Sequence, residues 1–268
     1  MGYIFDFKDA VAYDQWLKQS KIRFTAELES RLMLDMLRPV RGESVLEIGC
    51  GTGTRLCALI DSGLQVTGLD PSPYMLDIAS RNVRNRVDFY RGVAEDLPFE
   101  DNSFDNACII LTLEFVDDFK RTIEEACRVA KNKVFIGFLN KHAVEVMRLR
   151  LRTLLCDSIY KHARFFSISE LKSHIRYVLG NVPVTCRTVS NFSSSNRIIC
   201  RKIEQYRFIQ RFPFGAFAGM VVVLNPQFIT RPLSLICPVN RSTGVFCRIN
   251  PDELVKGQNR DGIVKSPS

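Results

Sequence analysis

The chain has 268 residues, of which 46% are hydrophobic and 25% charged, a composition typical of a globular protein and not of a disordered or collagen-like one. It has no apolar run of about 18 residues, and Asp6, Asp9 and Asp14 interrupt the N-terminal segment, so neither a transmembrane helix nor a signal peptide is expected. The formal net charge is +8: residues 1–140 carry 17 Lys/Arg and 22 Asp/Glu, whereas residues 141–268 carry 20 and 7. We therefore expect a cytoplasmic protein whose basic second half faces either solvent or an anionic partner.

The first half of the chain alternates apolar strands with amphipathic helices. After a mixed N-terminal arm, a helix is predicted over 26–37 and ends at Arg38-Pro39. Strands are predicted at 44–48, 65–69, 87–90, 106–111 and 134–138, and helices at 54–62, 73–84 and 118–129. This alternation is typical of βαβ units and a parallel sheet.

Beyond residue 140 the pattern changes. Residues 144–155 predict a basic helix with Arg148, Arg150 and Arg152, and residues 169–178 predict a helix with a serine N-cap at its start. The β-rich segments 184–189 and 218–224 are predicted to pair with the edge of the sheet. Residues 225–268 predict an irregular C-terminal extension.

The sharpest chemical signal is the glycine-rich turn Glu47-Ile-Gly-Cys-Gly-Thr-Gly53, directly after the first strand. Such a turn brings backbone close to a ligand at a helix N-terminus. No Lys-Ser/Thr follows, which excludes a phosphate-binding P-loop. Asp70, at the tip of the second strand, is suited to accept hydrogen bonds from two ribose hydroxyls. Together these features predict a nucleoside site.

Three segments carry a family resemblance: VLEIGCGTG (45–53), VTGLDPSPYMLDIAS (66–80) and GVAEDLPFEDNSFDNA (92–107). They resemble the class I S-adenosylmethionine-dependent methyltransferases, in the subgroup that contains the ubiquinone and menaquinone biosynthesis C-methyltransferases. The resemblance is continuous over about residues 10–140 and weaker over 163–171 and 212–223. It implies an α/β, Rossmann-like sheet of seven strands, in the order 3-2-1-4-5-7-6, with strand 7 antiparallel and helices on both faces.

The resemblance also implies a set of residues that bind S-adenosylmethionine and its product S-adenosylhomocysteine. Glu47 and the loop backbone would face the methionine part, Asp70 the ribose, and Leu111 the sulfonium end. In full, the implied cofactor-binding residues are Tyr13, Glu47, Gly49, Cys50, Gly51, Gly53, Asp70, Pro71, Met75, Val93, Ala94, Glu95 and Leu111. The segment YDQW (13–16) is similar to a family segment that folds over the cofactor as a lid, although Trp16 is equally suited to packing within the arm.

The sequence departs from the family pattern at two positions of the site. Val93 stands where an aspartate often accepts from the adenine amino group, which leaves Glu95 or Asp96 to replace it. Glu114-Phe115 stands where many relatives have a histidine pair. Glu114 is therefore the candidate for a base or for a group that orients the acceptor, and no catalytic residue is assigned beyond it.

We expect a methyltransferase domain over 1–224, with an arm and lid at 1–40 and an acceptor-covering region at 141–215. The expected acceptor is a small or medium-sized molecule. Two alternatives stay open: an RNA methyltransferase that uses the basic half, and a scaffold that binds the cofactor without turnover. No bound metal is expected, because none of the nine cysteines forms a C-x-x-C pair.

Overall fold

The computed structural model describes residues 2–84, 86–153, 159–189 and 215–224, and the structural statements below concern these residues. Several sequence predictions lie outside them. These are Cys156, Cys200, Cys237 and Cys247, the end of the basic helix after 153 with the side chain of Arg152, much of the region 141–215, and the extension 225–268. The proposed domain limits therefore stay predictions.

The chain folds as helices that alternate with strands, as the sequence predicts. The helices are α1 (Phe7–Lys18), α2 (Ser20–Leu37), α3 (Leu56–Asp61), α4 (Pro73–Val83), α5 (Phe119–Val129), α6 (Val144–Thr153) and α7 (Ile168–Leu179), with a 3-10 turn at Ile159–His162. The strands are β1 (Ser44–Ile48), β2 (Gln65–Asp70), β3 (Asp88–Arg91), β4 (Phe104–Ile110), β5 (Ala130–Leu139), β6 (Val184–Val189) and β7 (Phe217–Val223).

These strands form one sheet in the order β3-β2-β1-β4-β5-β7-β6, which confirms the predicted topology. Strand β7 lies antiparallel between β5 and β6, and all other neighbours are parallel. Ile48 of β1 is paired with Leu69 of β2 and with Ile109 of β4. The carboxyl ends of the three central strands consequently meet at one edge, where ligands bind in open α/β sheets.

Successive side chains of the central strands enter two separate hydrophobic cores, one on each face of the sheet. Leu46 and Ile48 pack in the core that contains residues of α5 and α7. Val45 packs in the core that contains residues of α2 and α3. Because a strand buried on both faces has no solvent-facing side, apolar residues occupy both faces of β1, and the charged Glu47 of this strand is buried as well. None of the described helices has the length and apolar character needed to cross a membrane.

Helix starts account for most of the differences from the sequence predictions. Helix α1 was absent from the prediction, yet Asp6 and Asp9 form a capping box at its start, with the Asp6 carboxylate accepting from the Asp9 amide at 2.9 Å. The predicted cap of α7 at Ser169 was wrong, since Ser167 caps this helix by accepting from the Glu170 amide. Helix α2 likewise begins at Ser20, six residues before its predicted start.

Candidate functional site

A cleft opens at the carboxyl ends of β1, β2 and β4. About 910 Å³ of empty space lies between its walls, the open mouth included. Eleven of the predicted cofactor-binding residues line it: Tyr13, Gly49, Cys50, Gly51, Asp70, Pro71, Met75, Val93, Ala94, Glu95 and Leu111. Residues scattered over 99 positions of the sequence thus share one concave surface.

The glycine-rich loop after β1 forms the floor of this cleft. The amides of Gly49 and Cys50 both donate to the carbonyl of Leu69, at 2.7 and 3.0 Å, which holds the loop against the end of β2. Gly49 has a φ of +72°, and a Cβ there would lie 2.3 Å from Cγ2 of Thr112. A side chain at this position is therefore excluded both by backbone conformation and by space.

Asp70, at the tip of β2, is bonded to the loop on one side and to its own turn on the other. Its Oδ2 accepts from the Gly51 amide and its Oδ1 from the Ser72 amide, each at 2.9 Å. Burial raises the pKa of Asp70 to about 6, although both amides favour the ionised form. Each oxygen keeps further acceptor capacity for a ligand hydroxyl.

Residues 2–5 run along the cleft as an N-terminal strap and contribute to its lining. The strap is fixed at two places: the Tyr3 amide donates to the carbonyl of Phe115 at 2.9 Å, and the Ser72 hydroxyl donates to the carbonyl of Phe5 at 2.7 Å. The Phe5 ring packs edge-on against those of Phe115 and Tyr13, with centroids 5.4 and 5.7 Å apart. No sequence pattern indicates this strap, although the family resemblance predicts an arm that folds over the cofactor.

Of the two roles considered for Trp16, covering the cofactor and packing within the arm, the structure favours packing. Its ring packs on Tyr13 at 5.7 Å and on Tyr160 at 6.3 Å, and it is not among the residues that line the cleft. Tyr13, three residues earlier on α1, does line the cleft. The arm therefore contributes Tyr13 to the cleft wall, while Trp16 packs behind it.

A buried cluster of ionisable side chains extends from Arg55, which lines the cleft, to Glu29, Glu47 and Glu114 behind the lining. Arg55 donates to Oε2 of Glu29 at 2.6 Å. Burial raises the pKa of Glu47 to about 7, and the pKa of Glu114 likewise to about 7. Within the described residues, Oε2 of Glu47 and Oε2 of Glu114 are buried without a hydrogen-bond partner, which is unusual for a folded protein.

Two predicted cofactor residues lie outside the cleft lining. Glu47 is buried on β1, behind the loop, and a Cβ on Gly53 would meet Ala79 of α4 at 3.1 Å, so Gly53 allows α4 to pack closely. Glu114 also lies behind the lining, where its Oε1 accepts from the Leu139 amide at 2.7 Å. Glu95 does line the cleft, but its Oε1 accepts from the Asp117 amide at 3.0 Å.

Other cleft residues were missed by the sequence analysis. Thr112 and Phe115, which follow β4, line the cleft, and so does Arg55. The available signal for Arg55 was its position, two residues after the last loop glycine and directly before a helix. Among the described residues, the five cysteines (50, 57, 108, 127 and 186) are free, and no cluster of three metal-ligating side chains occurs.

Comparison with known proteins identifies a methyltransferase domain in this chain. A family model described as a methyltransferase domain matches residues 46–137. The chain is 42% identical over 101 residues to a demethylmenaquinone methyltransferase of Renibacterium salmoninarum, a match that covers 38% of this chain and 42% of that protein. The chain thus spans about two fifths of the length of this relative.

Two further relatives match over more of their length. An uncharacterised protein of Methanocaldococcus jannaschii is 33% identical over 170 residues, covering 63% of this chain and 76% of that protein. The crystal structure of an S-adenosylmethionine-dependent methyltransferase of Thermotoga maritima superposes with a TM-score of 0.63 and 26% identity, over 81% of this chain and 96% of the other. Together with the strand order and the loop at β1, the family model and the Thermotoga maritima structure show that the chain belongs to the class I S-adenosylmethionine-dependent methyltransferases, whose cofactor is S-adenosylmethionine.

Proposed function

We propose that this protein transfers the methyl group of S-adenosylmethionine to a small or medium-sized acceptor that binds beside the N-terminal strap. The observation that carries this proposal is the contact between the Gly51 amide and the Asp70 carboxylate, 2.9 Å apart, within an open cleft at the edge of the sheet. The names of two relatives support a small acceptor: one is a demethylmenaquinone methyltransferase, and the Thermotoga maritima protein is named as a possible histamine N-methyltransferase.

The residues of the cleft fit this cofactor. Asp70 would hold the ribose, because a carboxylate can accept from both of its vicinal hydroxyls. Gly51 has nothing within 4 Å of the position of a Cβ, so the space above the loop is open to a ligand that approaches the backbone. Met75 and Val93 also line the cleft and would pack on the adenine, which needs apolar surface on its faces.

The bound cofactor supplies a methyl group that is already activated by its sulfonium, so the protein mainly has to align the acceptor. Correct positioning of two reactants is worth roughly 7–11 kcal/mol of activation free energy. Phe5, Phe115 and Tyr13 would serve this purpose by enclosing the acceptor and excluding water. The Phe5 ring packs edge-on against Tyr13 on one side and against Phe115 on the other, so the three rings form one wall.

Glu114 is proposed to orient the acceptor or to receive a proton from it. Its raised pKa, about 7, is suited to proton exchange near neutral pH, and its Oε2 has no partner within the described residues. The backbone carbonyl of Glu114 accepts from the Arg164 amide at 2.8 Å, which ties the segment after β4 to residues of the proposed acceptor region.

A screen of methyl acceptors with isotope-labelled S-adenosylmethionine tests the proposal. The panel should contain quinols, phenols, primary and aromatic amines, and mixed RNA, and Asp70→Ala, in which cofactor binding should be weaker, should serve as the control. Transfer of label to a small molecule, more slowly by Asp70→Ala than by the wild type at limiting cofactor, is the expected result. Transfer only to RNA, or cofactor binding without any transfer, would instead favour one of the two alternatives left open by the sequence.

A further inference from the structure

Arg55 is a charged residue of the cleft wall for which the proposed function has no role. It lies two residues after Gly53, directly before α3, and it lines the same cleft as Asp70 and Gly51. Only 9% of its surface is exposed. A guanidinium carries five N–H donors and keeps its charge when buried, so it needs several acceptors around it.

The described residues supply only some of the acceptors that the guanidinium of Arg55 needs. Arg55 Nη2 donates to Oε2 of Glu29 on α2 at 2.6 Å, and the guanidinium also interacts with the hydroxyl of Tyr13 on α1. Arg55 Nε is buried and has no hydrogen-bond partner in the described part of the chain. A buried, charged donor without an acceptor is unfavourable, and a ligand in the cleft would provide the missing acceptor.

Glu47 lacks a hydrogen-bond donor, just as Arg55 lacks an acceptor. Its Oε2 is buried without a donor among the described residues, and its carboxyl group is coupled electrostatically to the Arg55 guanidinium. A buried donor on the cleft wall, Arg55 Nε, and a buried acceptor behind the loop, Glu47 Oε2, therefore both lack partners among the described residues. A ligand group with an ammonium and a carboxylate on one carbon would complement both.

We propose that Arg55 binds the carboxylate of the methionine portion of the cofactor, and that Glu29 holds the guanidinium in position from α2. This inference rests on the proposed function, since it places the same cofactor in the same cleft. The planar guanidinium can donate two parallel hydrogen bonds to a carboxylate, which a lysine cannot do. Arg55 is thus the residue that distinguishes a complete cofactor from a thioadenosine that lacks the carboxylate.

Titration calorimetry with three ligands tests the inference without relying on turnover. The ligands are S-adenosylhomocysteine, its decarboxylated analogue S-adenosyl-3-thiopropylamine, and 5′-methylthioadenosine. The wild type should prefer S-adenosylhomocysteine to the decarboxylated analogue by about 30-fold, the effect expected for charge-assisted hydrogen bonds. In Arg55→Met this preference should fall to about threefold or less, because the affinity for S-adenosylhomocysteine alone decreases.

Two further variants distinguish a loss of ligand binding from a loss of folding. Arg55→Met leaves Glu29 buried without its partner, so the double variant Glu29→Met/Arg55→Met, in which both charges are replaced, should fold and show the same loss of preference. Arg81→Met, which removes an exposed arginine paired with Asp77 on α4, should behave as the wild type.

The possible failures can be told apart. If the Arg55 variants bind S-adenosylhomocysteine as tightly as the wild type, or lose affinity for all three ligands equally, Arg55 is only a structural partner of Glu29 and the inference is wrong. If the wild type binds none of the three ligands, the proposed function fails, and the inference fails with it.

Discussion

The side chain of Ser72 joins two segments that are 67 residues apart, because its hydroxyl donates to the backbone carbonyl of Phe5 at 2.7 Å. The same hydroxyl accepts from the Met75 amide and so caps α4. One residue at the end of β2 therefore positions both the strap over the cleft and the helix beside it. The strap is thus part of the folded site, and its ring at Phe5 is expected to retain the bound cofactor.

Phe5→Ala should accelerate dissociation of S-adenosylhomocysteine roughly tenfold, equivalent to about 1.4 kcal/mol. The substitution removes a ring that packs on Phe115 and Tyr13 but leaves the backbone bond to Ser72 in place. Stopped-flow measurement of the dissociation rate checks this. Phe7→Ala is the matched control, since Phe7 is exposed and lies outside the cleft lining. Equal rates for the two variants would contradict a retaining role of the strap.

Asp70→Ala should weaken the binding of S-adenosylhomocysteine by about 1–3 kcal/mol, because it removes the acceptor for the ribose hydroxyls. Asp70 also fixes the Gly51 and Ser72 amides, so Asp70→Asn, which retains one acceptor oxygen, separates the two effects. Calorimetric titration should show Asp70→Asn between the wild type and Asp70→Ala. The exposed Asp77→Ala should bind normally, and unchanged binding by Asp70→Ala would mean that the ribose lies elsewhere.

Alanine substitutions at two loop glycines should have different consequences. Gly49→Ala brings a Cβ within 2.3 Å of Thr112 at a φ of +72°, and we expect a loss of unfolding free energy of at least about 2 kcal/mol. At Gly51 the φ is +53° and no atom lies within 4 Å, so Gly51→Ala should cost about 1 kcal/mol of stability but obstruct the cleft. Urea unfolding and cofactor titration of both variants decide this. Equal stability of the two variants would contradict the contact with Thr112.

Stability should depend on pH through the buried carboxyl groups. The pKa values of Glu47 and Glu114 are raised by burial to about 7, above the ordinary value of 4.5. The folded chain therefore binds more protons than the unfolded chain between about pH 4.5 and 7, and the free energy of unfolding falls as the pH rises through this range.

Glu114→Gln should remove part of this dependence. At pH 8 the variant should be more stable than the wild type, by up to about 3 kcal/mol, whereas at pH 4.5 the two should be similar. Its amide oxygen can still accept from the Leu139 amide. Denaturant unfolding at several pH values is the measurement, with the exposed Glu100→Gln as control. Parallel curves for the wild type and Glu114→Gln would show that Glu114 is not protonated in the folded state.

The sequence and its family resemblance were sufficient to predict the strand order of the sheet. They also predicted the part of the site formed by the loops that follow β1, β2 and β4. The loop at 49–53 and Asp70 follow consecutive strands, so their proximity follows from the parallel order β2-β1-β4. Leu111 could be anticipated for the same reason, since β4 ends at Ile110 beside β1. The strand order alone is therefore enough to predict that these residues lie close together.

The strap and the buried ionisable cluster could not be anticipated in this way. Phe5 reaches the cleft through a bond to Ser72, and Glu29 meets Arg55 across 26 residues, between α2 and the start of α3. Neither contact has a periodicity or a spacing that reveals it, because both depend on how α1 and α2 pack on the finished sheet. The Asp6–Asp9 capping box, in contrast, is a local sequence signal for the start of α1.

The central claim, that the cofactor lies in the cleft between the glycine loop and the strap, is tested most directly by a crystal structure of the chain with S-adenosylhomocysteine. We expect its ribose hydroxyls within hydrogen-bond distance of Asp70, its adenine beside Met75 and Val93, and its carboxylate on Arg55. Ligand density at another place on the sheet edge, with Asp70 bonded only to Gly51 and Ser72, would contradict this account.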